Sequence, residues 1–129
     1  MILALTSAIF IIPAILTLYN RQWLASSACI TILFTSVVHH SMTIQSTWLA
    51  DQVACFYFAA VSLYYAVQYK LLYIVIPFTL YTIFVYHYGY ITKSMTWCED
   101  PVEQTMWHSS IHVFIALSAA YGSYKIGKL

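Results

Sequence analysis

Five long apolar segments, separated by short links, constrain the fold of this chain more than any other feature of its sequence. The segments cover residues 2–19, 23–40, 47–68, 71–91 and 104–124. Each is close to the roughly 20 residues that a helix needs to cross a hydrocarbon core about 30 Å thick. Inside lipid only helices and closed barrels satisfy all of their backbone hydrogen bonds. We therefore predict an all-α integral membrane helix bundle, one domain over residues 1–129, with about five transmembrane helices.

The composition agrees with a membrane protein. Hydrophobic residues make up 62% of the chain and charged residues only 7%, whereas soluble domains carry about 25% charged residues. The net charge of +1 gives no reason to expect nucleic acid as a partner. The first residues, "MILALTSAIF", contain no basic region and no cleavage site of small residues. We therefore expect them to form the first transmembrane helix and not a removable signal.

The basic residues indicate an orientation. If the N-terminus lies outside the cell or in a lumen, then Arg21, Lys70, Lys125 and Lys128 fall on the cytoplasmic side and only Lys93 falls outside. Cytoplasmic ends of membrane helices are enriched in Lys and Arg. The sequence thus predicts an outer or lumenal N-terminus and a cytoplasmic C-terminus.

Ionisable residues inside membrane segments collect at one depth. His40 ends the second segment, Asp51 begins the third, and His108 and His112 lie in the first turns of the fifth. With the predicted orientation all four lie in the outer third of the membrane. Ser36 precedes His40 by four residues and therefore shares its helix face, as His108 and His112 share theirs. Because ionisable residues are costly in lipid, this set is a candidate functional site.

Three imidazoles and a carboxylate suit a catalytic zinc ion. Such sites often use three histidine ligands and leave the fourth position to a water whose pKa falls to about 7. The predicted ligands are His40, His108 and His112. Asp51 would hold or deprotonate the water, and Ser36 would donate a hydrogen bond to the oxyanion that develops. The predicted chemistry is metal-assisted hydrolysis of an amide or ester bond in a membrane lipid.

Each of these residues also has a simpler interpretation. A lone H-x-x-x-H pair in a helix is usually structural, and Asp51 could snorkel to the interface or cap a helix that begins near Thr47. His39 points about 100° away from His40 around the helix and is not expected to bind the metal. His87, in "YHYGY", would be either an interfacial residue or a hydrogen-bond partner of a metal ligand.

Two other functions also agree with the sequence. A chain with almost no loops is also typical of a structural or accessory subunit of a larger membrane complex. The third alternative is a haem b protein with axial histidines from the second and fifth segments. Haem needs only two axial ligands, however, and would leave Ser36 and Asp51 without a role.

The polar residues resemble the signature of a known family. "SVVHH" at 36–40, Asp51 and "HSSIH" at 108–112 resemble the S-x-x-x-H, Asp and H-x-x-x-H motifs of the CREST superfamily of membrane hydrolases. The gap of eleven residues from His40 to Asp51 is more similar to the alkaline ceramidases than to the receptor branch. The resemblance implies a zinc site with the same five residues in the same roles, and a ceramide-like amide as substrate.

The resemblance covers the motif positions of segments two, three and five. Family members usually have seven spans, so the lipid cavity here would be built differently. A second copy of the chain or another membrane partner could complete it, and we consider homo-oligomer formation a hypothesis. The acidic N-terminal segment that carries a calcium site in the ceramidases is absent, so the sequence predicts Zn²⁺ and does not predict calcium.

Overall fold

The structure is a computed structural model that describes residues 2–42 and 44–129. These residues form five long helical segments and contain no strand. The helices are α1 (Ile2–Tyr19), α2 (Trp23–Met42), α3 (Gln45–Gln68), α4 (Leu72–Thr92) and α5 (Pro101–Ile126). The predicted all-α bundle is confirmed, and three of the helices extend a few residues beyond the predicted segments.

The helices form a ring. Each helix packs against the next one in the chain, and α1 also packs against α5, which closes the ring. The short turns between consecutive helices make neighbours antiparallel. As a result α1, α3 and α5 run in one direction. In the ring, α1 lies between α2 and α5, so α2 and α5 do not pack side by side.

The outer surface of the ring is apolar. Among the described residues, α1 to α4 are long and apolar enough to cross a membrane. Large hydrophobic side chains are exposed around the outside, for example Phe34 on α2, Phe56 on α3 and Leu80 on α4. Exposed apolar surface on this scale is expected only where lipid or another protein covers it. The chain is an integral membrane protein.

α5 is less hydrophobic than the other helices, but it contacts α1 near both ends of α1. Near one end, Thr6 Oγ1 is 3.1 Å from His112 Nδ1. Near the other end, Asn20 Nδ2 donates a 2.9 Å hydrogen bond to the Ser123 carbonyl. Thr6 and Asn20 are 14 residues apart, roughly 21 Å along a helix. α5 therefore extends through the same depth as α1, and its polar side chains do not prevent this because several of them face the bundle.

Small and aromatic side chains build the core. Phe10 on α1 is 1% exposed and contacts Phe58 on α3 edge to face, with ring centroids 5.6 Å apart. Alanine and cysteine side chains surround this pair and allow close approach of the helices, as in other membrane bundles. The remaining core residues are Ala14, Ala28, Cys29, Ile32, Ala54, Val61 and Ala116.

Two helices depart locally from α-helical geometry. In α1 the residues Ala8–Phe10 form a 3-10 turn just before Pro13, which has no N–H to donate to the preceding turn. In α4 the residues Phe84–Tyr88 form a π-helical turn. A π-turn inserts an extra residue into a helix and changes the direction of its side chains, and such turns are frequent at functional sites.

Asp100 determines where α5 begins. Its Oδ1 accepts hydrogen bonds from the backbone N–H groups of Val102 and Glu103, at 2.7 and 3.0 Å, and Pro101 occupies the first helical position. This arrangement satisfies two of the unpaired donors of the helix start. Consequently α5 begins three residues before the predicted segment, and Asp100 has a structural role.

Candidate metal centre

Three histidines meet inside the ring at one end of the bundle. His40, His108 and His112 each offer a nitrogen, and these three atoms lie within 4.8 Å of one another. The ring centroids are 4.9 Å apart for His40 and His108, 5.2 Å for His40 and His112, and 4.9 Å for His108 and His112. The structure thus brings together the three residues predicted as metal ligands.

Helix geometry explains why they meet. His108 and His112 are four residues apart in the first half of α5 and therefore project from the same face. His40 lies near the C-terminal end of α2, which runs opposite to α5. Because α2 and α5 are separated in the ring, the imidazoles approach each other across its interior.

The donor set fits a small cation. Nitrogens bound to zinc at 2.0–2.1 Å in tetrahedral geometry are about 3.3 Å apart, so small side-chain rotations would bring these three into range. Nε2 of His40 is buried and has no hydrogen-bond partner within residues 2–42 and 44–129. A buried polar atom without a partner costs free energy. A cation held by the three nitrogens would remove this cost.

Two hydroxyl groups of α1 contact the Nδ1 edge of the His112 ring. Its Nδ1 is 3.1 Å from Thr6 Oγ1 and 3.3 Å from Ser7 Oγ. His112 is 7% exposed and Ser7 is fully buried. With Nδ1 engaged by α1, Nε2 is the nitrogen of His112 that remains for a metal.

Asp51 is buried beside the site and not at a helix end. It is 6% exposed, and its Oδ1 accepts a 3.3 Å hydrogen bond from Thr35 of α2. Since α3 begins at Gln45, Asp51 lies in the second turn and does not cap the helix. It is not in the group of closely spaced ligand atoms. Asp51 also lines the cavity that His108 and His112 line, so this buried carboxylate is a candidate for proton transfer.

Ser36 is also buried, at 3% exposure, one turn below His40. Its Oγ is 3.0 Å from Ser7 Oγ of α1. Ser36 and Ser7 therefore connect α2 to α1 directly beneath the histidines. Both Ser36 and Asp51 line the central cavity together with His108 and His112.

Tyr86 is a site residue that the sequence analysis missed. Its hydroxyl is 3.5 Å from Nε2 of His108, and it lies in the π-turn of α4. The neighbouring His87 is exposed and is not in the histidine cluster. The His39 ring lies beside that of His40, with centroids 5.0 Å apart, but His39 is not in the group of closely spaced ligand atoms. Its Nδ1 is 3.4 Å from Thr47 Oγ1 on α3.

The two serines of "HSSIH" connect α5 to both of its neighbours. Ser109 Oγ is 3.5 Å from Thr6 Oγ1 on α1. Ser110 Oγ is 2.6 Å from the hydroxyl of Tyr81 on α4. The motif therefore supplies two inward histidines and two lateral hydroxyl contacts, which fix the rotation of α5 about its axis.

A large apolar cavity extends from the histidines toward the opposite end of the bundle. Its volume is about 930 Å³, near the upper end of the range for small-molecule sites. His108 lies at one end and Ile126 at the other, roughly 27 Å apart along α5. Residues of all five helices line it, and several lining residues of α3 and α4, such as Phe56 and Ile83, are also exposed on the outer surface. The cavity thus opens to the outside of the bundle between α3 and α4.

The sequence contained a weak signal for two of the missed residues. Thr6 and Ser7 are adjacent hydroxyl residues near the start of a largely apolar segment, and α1 runs in the same direction as α5, whose first half carries His112. No comparable signal existed for Tyr86, one of twelve tyrosines.

Comparison of the chain with protein-family models, curated proteins and solved structures gave no match.

Proposed function

We propose that this protein is a zinc-dependent intramembrane hydrolase that cleaves an amide or ester bond of a membrane lipid. The observation that carries the proposal is a group of three closely spaced histidine nitrogens, from His40, His108 and His112, of which His108 and His112 line one end of a long apolar cavity. A ceramide-like amide is the substrate that the resemblance to the alkaline ceramidases favours. Membership of the CREST superfamily is part of the same proposal.

His40, His108 and His112 would hold the ion. Zinc in such a site supplies a Lewis acid and lowers the pKa of water enough for attack at neutral pH. Asp51 would accept a proton from the attacking water and pass it to the leaving amine or alcohol. Water adds to the carbonyl carbon, the bond from that carbon to nitrogen or oxygen breaks, and a fatty acid and an amine or alcohol leave.

Ser36 and Tyr86 would act on the carbonyl group. Both line the cavity near the histidines, and both hydroxyls can donate a hydrogen bond to the oxygen on which negative charge develops. A preorganised donor of this kind in a site that excludes water stabilises the transition state strongly. The Ser36 hydroxyl also contacts Ser7, which holds it close to the reacting end of the cavity.

The cavity supports a lipid substrate with at least one long chain. Its lining is largely apolar, and its length of roughly 27 Å compares with the hydrocarbon thickness of about 30 Å. An acyl chain could enter between α3 and α4 without leaving the membrane. The opening of the cavity between α3 and α4 also leaves room for a second copy of the chain, or a helix of a partner protein, to pack there.

The proposal includes an orientation. Arg21, Lys70, Lys125 and Lys128 lie at or beyond the helix ends that are remote from the histidines, and Lys93 lies at the histidine end. The preference of Lys and Arg for the cytoplasmic side would then put the site near the outer or lumenal face.

Metal analysis of the purified protein tests the proposal. Elemental mass spectrometry should find one zinc per chain in the wild type and loss of zinc in His40→Ala, His108→Ala and His112→Ala. His87→Ala is the matched control, because this histidine lies outside the cluster, and it should retain zinc. Hydrolysis is then measured with ceramides and with lipid esters of the same acyl chain.

An absorption spectrum of the same samples separates the alternatives. A Soret band that is present in the wild type and lost in the histidine variants would show that the histidines bind haem b and not zinc. Absence of both zinc and a Soret band in the wild type would contradict the hydrolase proposal. If the chain is then stable only together with other membrane proteins, the accessory-subunit function would account for it.

A further inference from the structure

We propose that Thr6 and Ser7 of α1 are positioning residues that hold the proton of the His112 imidazole on Nδ1 and leave Nε2 bare for zinc. This inference rests on the proposed metal site, but it concerns a property that the protein has with or without the metal. It assigns to α1 a role in a site whose ligands come from α2 and α5.

The argument begins with the hydroxyl protons of α1. Ser7 Oγ lies 2.8 Å from the Leu3 carbonyl, and Thr6 Oγ1 lies 3.0 Å from the same oxygen. A carbonyl oxygen only accepts hydrogen bonds. For each hydroxyl the carbonyl is also the nearest partner, since Nδ1 of His112 lies 3.3 Å from Ser7 and 3.1 Å from Thr6. Each hydroxyl has a single proton, and each donates it to Leu3. Ser109 Oγ, 3.5 Å from Thr6 Oγ1, is a more distant acceptor for the Thr6 proton.

The tautomer of His112 follows from this assignment. Once both protons are directed to Leu3, the two hydroxyl oxygens present only lone pairs to Nδ1. A neutral imidazole carries one N–H and one acceptor nitrogen, and hydrogen bonds to one nitrogen select the tautomer. Nδ1 must therefore be the donor, with a hydrogen bond shared between Thr6 and Ser7. Nε2 then carries the free lone pair that a zinc ligand requires.

Burial of Nδ1 protects this tautomer preference from competing hydrogen bonds to water. Ser7 is 0% exposed and His112 is 7% exposed, so water does not compete readily for the same hydrogen bonds. Ser36 Oγ, 3.0 Å from Ser7 Oγ, can donate its own proton to Ser7 while no substrate carbonyl is bound. Partners of metal-bound histidines of this kind typically change metal affinity by about 10- to 100-fold when they are removed.

Nitrogen NMR of the histidine side chains tests the inference. The protein is labelled with ¹⁵N-histidine, and the His112 signals are assigned by their absence in His112→Ala. In the metal-free wild type, we expect Nδ1 of His112 to be protonated and Nε2 to be unprotonated. In the double variant Thr6→Val/Ser7→Ala this single tautomer should give way to a mixture, and zinc affinity should fall about 10- to 100-fold.

Conservative and control variants separate positioning from packing. Thr6→Ser and Ser7→Thr keep the hydroxyls and should retain both the tautomer and the affinity. Thr17→Val removes a buried hydroxyl from the same helix, one that bonds to the carbonyls of Pro13 and Ala14 and lies away from His112, and should change neither. If the double variant does not fold, the single variants Thr6→Val and Ser7→Ala each give a smaller shift in the same direction.

Several results would overturn the inference. They are an Nε2-protonated His112 in the metal-free wild type, an unchanged tautomer in the double and single variants, or an equal loss of affinity in Thr17→Val. Failure of the wild type to bind zinc would instead remove the proposed function. The tautomer measured on that metal-free protein would still decide whether Thr6 and Ser7 position His112.

Discussion

Zinc should stabilise the folded bundle because it would connect two helices that do not pack side by side. His40 lies on α2 and the other two ligands lie on α5, and these helices meet across the interior of the ring. A ligand that binds only the folded state stabilises it by RT ln(1 + [L]/Kd). His40→Ala removes the only ligand from α2, so we expect it to abolish the zinc-dependent part of the stability.

The size of the effect follows from mass action. At a free zinc concentration 100 times Kd, the stabilisation is about 2.7 kcal/mol. For a chain of 129 residues, 1 kcal/mol corresponds to a change in Tm of about 4 °C. Saturating zinc should therefore raise the Tm of the chelator-treated wild type by about 10 °C, and that of His40→Ala by about 0 °C.

Thermal unfolding in mild detergent, followed by circular dichroism at the helix band, measures this difference. Each variant is compared with and without zinc, so any intrinsic effect of the substitution on stability cancels. His87→Ala, which removes an exposed histidine on α4, should keep the full zinc-dependent increase. The reasoning is refuted if His40→Ala keeps the wild-type increase, or if His87→Ala loses it.

Three further predictions concern the chemistry and the packing around the site. Asp51→Asn should retain zinc and lose turnover by about 10²-fold or more; full hydrolysis by this variant would exclude the carboxylate from proton transfer. Tyr86→Phe should retain zinc and lower kcat by about 10²-fold if its hydroxyl stabilises the developing oxyanion, and an unchanged kcat would show that it does not. Gly89→Ala would place a Cβ 2.7 Å from the Ser94 carbonyl oxygen and should destabilise the bundle by about 1–3 kcal/mol. Gly122→Ala, where nothing lies within 4 Å of the added atom, should not destabilise it, and equal Tm values for the two variants would contradict the packing argument.

The helices could be predicted from the sequence. The length of a membrane helix is set by the thickness of lipid, so apolar segments separated by short links predict the five helices and their alternating direction. Alternation in turn predicts that His40, Asp51, His108 and His112 lie at one level, and the structure brings the three histidines together. Spacing of four residues in a helix then predicts that His108 and His112 share a face.

Only the tertiary structure decided which faces meet. Sequence periodicity gives the direction of a side chain relative to its own helix, but the rotation of each helix depends on packing with its neighbours. The ring order brings α1 against α5, and this contact makes Thr6 and Ser7 partners of His112. The π-turn in α4 brings Tyr86 to His108, and no local pattern predicts it, because an inserted residue in a helix is selected by tertiary packing.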